Sequence, residues 1–152
     1  MTKKKLMTIV RWALVVVCMA GIFIMSAQDG EISTHMSDIV VGATPATPST
    51  WEQATVVMRK SAHFLSYLSL AVLAAWAFYH TVRKRPGLWT MALCMVYAAS
   101  DEIHQYFVPE RAMKLYDWGI DSLGALCGLG LFWLGRRYIH HKTVQRNPSN
   151  VG

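Results

Sequence analysis

Residues 62–82 read AHFLSYLSLAVLAAWAFYHTV, an unbroken run without aspartate, glutamate, lysine or arginine. About 20 such residues in a helix cross the hydrocarbon core of a bilayer, where every backbone N–H and C=O must be paired internally. Arg59 and Lys60 precede the run, and the basic turn Arg83-Lys84-Arg85-Pro86-Gly87 follows it. Three comparable runs lie outward from it. Leu6–Ser26 is apolar apart from Arg11, which sits about one turn inside and can snorkel to the near headgroups. Leu88–Val108 ends at Pro109, and Asp117–Tyr138 is closed by Arg136-Arg137. The expected fold is all-α, a four-helix transmembrane bundle forming a single domain with spans at about 6–26, 62–82, 88–108 and 117–138.

Composition points the same way. Hydrophobic residues make up 53% of the chain and charged residues 16%, where soluble domains run near a quarter charged; the mean hydropathy is +0.26. The net charge of +6 does not imply nucleic acid. Its lysines and arginines sit in short clusters between apolar runs and do not interleave with exposed aromatics. Cys18, Cys94 and Cys127 each lie inside an apolar run, so they read as small hydrophobes, with no disulfide framework and no zinc spacing. A secretory signal has an outline like residues 3–27, but Met25-Ser26-Ala27 is a poor cleavage site and the run is long enough to span.

Residues 27–61 read as an outer loop with a helical extension. Ala43-Thr44-Pro45-Ala46-Thr47-Pro48 cannot be helical throughout, whereas Ser49-Thr50-Trp51-Glu52 has the form of a capping box. A helix starting there and ending near Val82 would hold about 33 residues, so roughly its first ten would project past the membrane. Residues 139–152 read as a flexible cytoplasmic tail.

The charges suggest an orientation. The N-terminus, the 83–87 turn and the C-terminal tail share one side of a four-span bundle and hold ten lysines and arginines: Lys3, Lys4, Lys5, Arg83, Lys84, Arg85, Arg136, Arg137, Lys142 and Arg146. The other side holds Arg59, Lys60, Arg111 and Lys114. That bias places both termini in the cytoplasm. All nine acidic residues (Asp29, Glu31, Asp38, Glu52, Asp101, Glu102, Glu110, Asp117 and Asp121) fall in the outer loops or the outer ends of spans.

Three polar groups converge there. Arg59, His63 and Tyr67 recur every four residues on the second helix, with Lys60 adjacent. Asp101, Glu102, His104 and Gln105 occupy the end of the third. Asp117 and Asp121 precede Gly124 and Gly128, a GxxxG-type groove suited to close helix packing. A carboxylate in hydrocarbon costs about 2.5 kcal/mol or more, so such groups persist where they pair or face water. Interhelical ion pairing or headgroup anchoring accounts well for Tyr106, Glu110 and Lys114, in or beside a loop; Glu102, Gln105 and Asp121 lie deeper and favour a site. His63, Glu102 and Asp121 are the acid/base candidates. Arg59, Lys60, Tyr67, Asp101, Gln105, Arg111 and Asp117 are the ligand-binding candidates. His63, His104, Asp101 and Glu102 have metal-ligand chemistry without a diagnostic spacing, so neither a metal nor a cofactor is assigned.

The ordered set Arg59-Lys60-Ser61-Ala62-His63-Phe64, Tyr67, Asp101-Glu102-Ile103-His104-Gln105-Tyr106-Phe107-Val108-Pro109, Arg111 and Asp117-x-x-x-Asp121-x-x-Gly124 resembles the VanZ-like family of bacterial membrane proteins. Met25-Ser26-Ala27-Gln28 resembles that family's Ser-x-Gln. Ser66, Glu110 and Asp121 stand where the family commonly has glutamate, glycine and asparagine. The resemblance implies a multi-pass protein of the bacterial cell membrane, linked to the cell envelope through a founding member associated with teicoplanin resistance. Its partners would be membrane lipids and a lipid-linked cell-wall precursor or glycopeptide-related target. Three functions stay open: a binding protein for a lipid-linked or anionic envelope component, a membrane-embedded enzyme acting on such a substrate, and a small transporter or helix-packing partner.

Overall fold

The computed structural model describes residues 2–27, 48–108 and 115–146, and among these every regular element is a helix. The order is α1 (Lys3–Ser26), α2 (Pro48–Thr81), α3 (Pro86–Tyr106) and α4 (Leu115–Arg146).

The ends of the helices follow local chemistry. Proline opens both α2 and α3, at the position where a missing N–H leaves no bond unmade. Helix α2 thus starts one residue before the expected Ser49; the Ser49–Glu52 cap itself lies outside the described side chains. Between α2 and α3 the chain reverses through Arg85, in the left-handed region at φ 52° and ψ 50°, whose carbonyl accepts from the N–H groups of Leu88 and Trp89. Helix α3 stops at Tyr106, two residues short of the expected 108, with the N–H groups of Phe107 and Val108 turned onto the carbonyls of His104 and Gln105. The expected break at Pro109 lies outside the described residues. Helix α4 continues through His140-His141-Lys142 to Arg146, past the expected end at 138. No glycine or proline interrupts that stretch, and cations near a helix C-terminus complement its dipole.

Helix α2 is central and packs on each of the other three, most extensively on α4. The core is built of small side chains. Ala71, Ala74, Ala75 and Ala77 of α2, Cys94 and Ala98 of α3 and Ala125 of α4 are buried, with Tyr67, Leu70, Val15 and Ile22 as the larger members. Many of the larger aliphatic side chains point outward instead: Val17 is 67% exposed and Val96 71%, and Leu65, Leu123, Leu131 and Leu134 also face out. In water such a surface would aggregate; in lipid it is the solvated face. Among the described residues, three helical segments are long and apolar enough to cross a membrane: Lys3–Ser26, Val56–Thr81 and Leu115–Gln145. Helix α3, at 21 residues, has the length. Asp101, Glu102, His104 and Gln105 crowd its last turns and lower its hydropathy.

Candidate functional site

Gly124 and Gly128 hold α4 against α2. A Cβ on Gly124 would sit 2.4 Å from the Phe64 carbonyl oxygen, and one on Gly128 would sit 2.2 Å from that of Leu68. Only glycine lets the backbones approach so closely. Phe64 follows His63 in sequence, and Asp121 lies one turn before Gly124, so this contact sets Asp121 opposite His63. His63 Nδ1 stands 3.6 Å from Asp121 Oδ1 and 4.0 Å from Asp101 Oδ2, so three helices meet at one imidazole.

Asp101 is anchored from α1. Ser26 Oγ donates to Asp101 Oδ2 at 2.8 Å, and Gln105 Nε2 donates to that oxygen at 3.1 Å and to Ser26 Oγ at 3.0 Å. All three residues are buried. Beneath them Tyr67 is 0% exposed, its ring 6.2 Å from Tyr97. Tyr97 Oη donates to the Met19 carbonyl at 2.6 Å, a second tie from α1 to α3.

Above this layer opens a cleft of about 510 Å³. Arg59, Lys60 and His63 of α2 line one side, Glu102 and Gln105 of α3 a second, and Asp117 and Asp121 of α4 a third, with Val56 and Ile120 as apolar wall. Polarity is graded with depth. Lys60 and Asp117 at the rim are each about a third exposed and paired at 3.0 Å, and the Lys60 ammonium lies 4.2 Å from the Tyr116 ring centroid. Glu102 and Asp121 below are 1% and 0% exposed. The opposite end of the bundle is cationic: Arg136 stacks over Tyr79 at 3.9 Å, Arg11 lies over Trp76 at 5.1 Å, and Trp12 Nε1 donates to Thr81 Oγ1 at 3.3 Å.

Of the residues singled out in the sequence, Arg59, Lys60, His63, Glu102, Gln105, Asp117 and Asp121 line the cleft. Asp101 and Tyr67 lie buried just beneath it. Arg111 lies outside the described residues. His104 does not join His63: its ring stacks on Phe23 at 4.4 Å, so the grouping of His63 with His104 is not formed. The donors that do meet are His63, Asp101 and Asp121, with ligand atoms within 4.8 Å of one another. No spacing announces them, because each comes from a different helix. Ser26 is the residue sequence reasoning underused. Its signal is a hydroxyl at the end of an apolar run, within the Ser-x-Gln motif.

The VanZ/LLP1 family model matches residues 11–136, so the chain belongs to that family and the resemblance read from its motifs is borne out. With its outward-facing aliphatic surface, the chain is a membrane protein. No curated protein and no solved structure matches it.

Proposed function

We infer that this VanZ/LLP1 protein crosses the bacterial cell membrane four times, with α3 as the third span and both termini in the cytoplasm. Its cleft opens outward and binds an anionic, lipid-linked component of the cell envelope. The ten lysines and arginines of the termini and the 83–87 turn support the orientation. Helix α3 carries its polar end among three other helices rather than toward lipid, which offsets its lower hydropathy.

The observation that carries the binding reading is the graded cleft. Half-buried Arg59 and Lys60 stand at a rim beside outward-facing aliphatic side chains, which suits a phosphate or pyrophosphate headgroup with its hydrocarbon chain left in lipid. Altered access of a glycopeptide to that component would connect the site with the teicoplanin resistance that the family resemblance implies.

The test is binding of short polyprenyl phosphates and pyrophosphates to the purified chain in nanodiscs. Arg59→Ala and Lys60→Ala should each weaken binding about tenfold, near 1.4 kcal/mol. Affinity indifferent to both refutes the reading.

A second reading, an enzyme acting on the same lipid-linked class, is favoured by His63 lying between Asp121 and Asp101 with Glu102 in the same cleft. Glu102→Gln separates the two. An acid/base enzyme loses turnover by about a hundredfold while still binding; a binding site loses no turnover because it has none.

A further inference from the structure

We propose that His63, Asp101 and Asp121 form a binding site for one divalent transition-metal ion at the floor of the cleft. The donors are an imidazole nitrogen and two carboxylates from α2, α3 and α4, all within 4.8 Å of one another. Around a tetrahedral ion with bonds of about 2.1 Å, ligand atoms sit about 3.4 Å apart. The separations of 3.6 and 4.0 Å from His63 Nδ1 to the two carboxylates come close to that spacing before any ion draws them in.

A separate observation points to a ligand. Asp121 is 0% exposed, yet both its carboxylate oxygens lack a hydrogen-bond partner, as do Asp101 Oδ1 and the Tyr67 hydroxyl. His63 Nδ1 faces Asp121 Oδ1 at 3.6 Å, a long and weak contact for so buried a carboxylate. A buried carboxylate short of donors, as at Asp121, is costly in any membrane protein, and a divalent ion would balance two carboxylates.

The surroundings are those of a ligand rather than of a simple ion pair. Ser26 and Gln105 both donate to Asp101 Oδ2, the kind of outer hydrogen bonding that orients metal-bound carboxylates. One nitrogen with two carboxylate oxygens suits zinc, manganese or ferrous iron over copper(I) or a closed thiolate site. Three protein donors leave a fourth position open, and His63 and Asp121 direct it into the cleft.

Zinc is the probe. The full chain, tag-free in nanodiscs and stripped with chelator, is dialysed against zinc and its metal content measured. Cobalt(II) absorption then reports the coordination. One ion per chain is expected. His63→Gln and Asp121→Asn should lower affinity more than a hundredfold, and Ser26→Ala, acting through Asp101, about tenfold. His104→Gln, at the histidine stacked on Phe23, should leave it within about twofold. Should Asp121→Asn fail to fold, Asp101→Asn and Ser26→Ala carry the same comparison. No zinc retained by the folded wild-type chain overturns the site. So does zinc retained equally by His63→Gln and Asp121→Asn and lost only on changing His140 and His141 of the tail. Headgroup binding can fail while zinc still binds, since every donor is a protein atom.

Discussion

Replacing Gly128 by alanine puts a methyl group 2.2 Å from the Leu68 carbonyl oxygen and 3.0 Å from the Ala71 side chain. The first neighbour is backbone and cannot rotate away. Real Cβ contacts essentially never fall below 3.0 Å, so α2 and α4 must part by about 0.8 Å at this crossing. Overpacking of this kind typically destabilises by about 1–3 kcal/mol. Against that stands a gain of up to about 1 kcal/mol from alanine's helix propensity. The net expectation is a loss of about 1–2 kcal/mol. Gly124→Ala meets the Phe64 oxygen at 2.4 Å and should behave alike. The double variant should lose less than the sum, because helices already parted for one methyl accommodate the other. The assay is reversible unfolding in mixed micelles, followed by tryptophan fluorescence. Gly130→Ala and Gly135→Ala, with nothing within 4 Å of the new carbon, are the controls and should be neutral or more stable. Gly128→Ala as stable as Gly130→Ala would refute the close approach, and with it the account of why Asp121 faces His63.

Other expectations follow from single contacts. Ser26→Ala removes a buried donor to Asp101 and an acceptor for Gln105; it should cost about 1–3 kcal/mol in the same unfolding assay, and an unchanged midpoint would mean α1 does not anchor the site. Tyr97→Phe loses the 2.6 Å bond to the Met19 carbonyl and should cost about 1 kcal/mol, read as a lower unfolding midpoint. Lys60→Ala breaks a pair whose members are each about a third exposed, so its stability change should stay below about 1 kcal/mol. Its larger effect should appear in headgroup affinity, and the reverse pattern would make Lys60 a structural anchor only.

Much of the architecture was legible because helix length and hydropathy are properties of consecutive residues. The apolar runs, with the capping box for the start of α2, located all four helices to within a few residues except at the end of α4, where polar sequence stays helical to Arg146. The i, i+4 spacing on α2 carried Arg59 and His63 onto one cleft wall. Grouping His104 with His63 failed for a rotational reason. His104 is three residues from Asp101, yet the turn of α3 stacks its ring on Phe23 of α1, while Asp101 reaches both Ser26 of α1 and, at 4.0 Å, His63 of α2.

The amino-acid order by itself determined that this chain is helical and that its solvent is lipid. Each of these depends only on what a stretch of about 20 residues does in water or hydrocarbon. Tertiary structure alone decided which acids meet. Asp121 faces His63 because Gly124 and Gly128 let α4 sink onto the α2 backbone, and Asp101 is held in place by a serine 75 positions earlier in the chain. Helix rotation and approach distance are set by the packing of side chains distant in sequence, so no spacing along one helix encodes them.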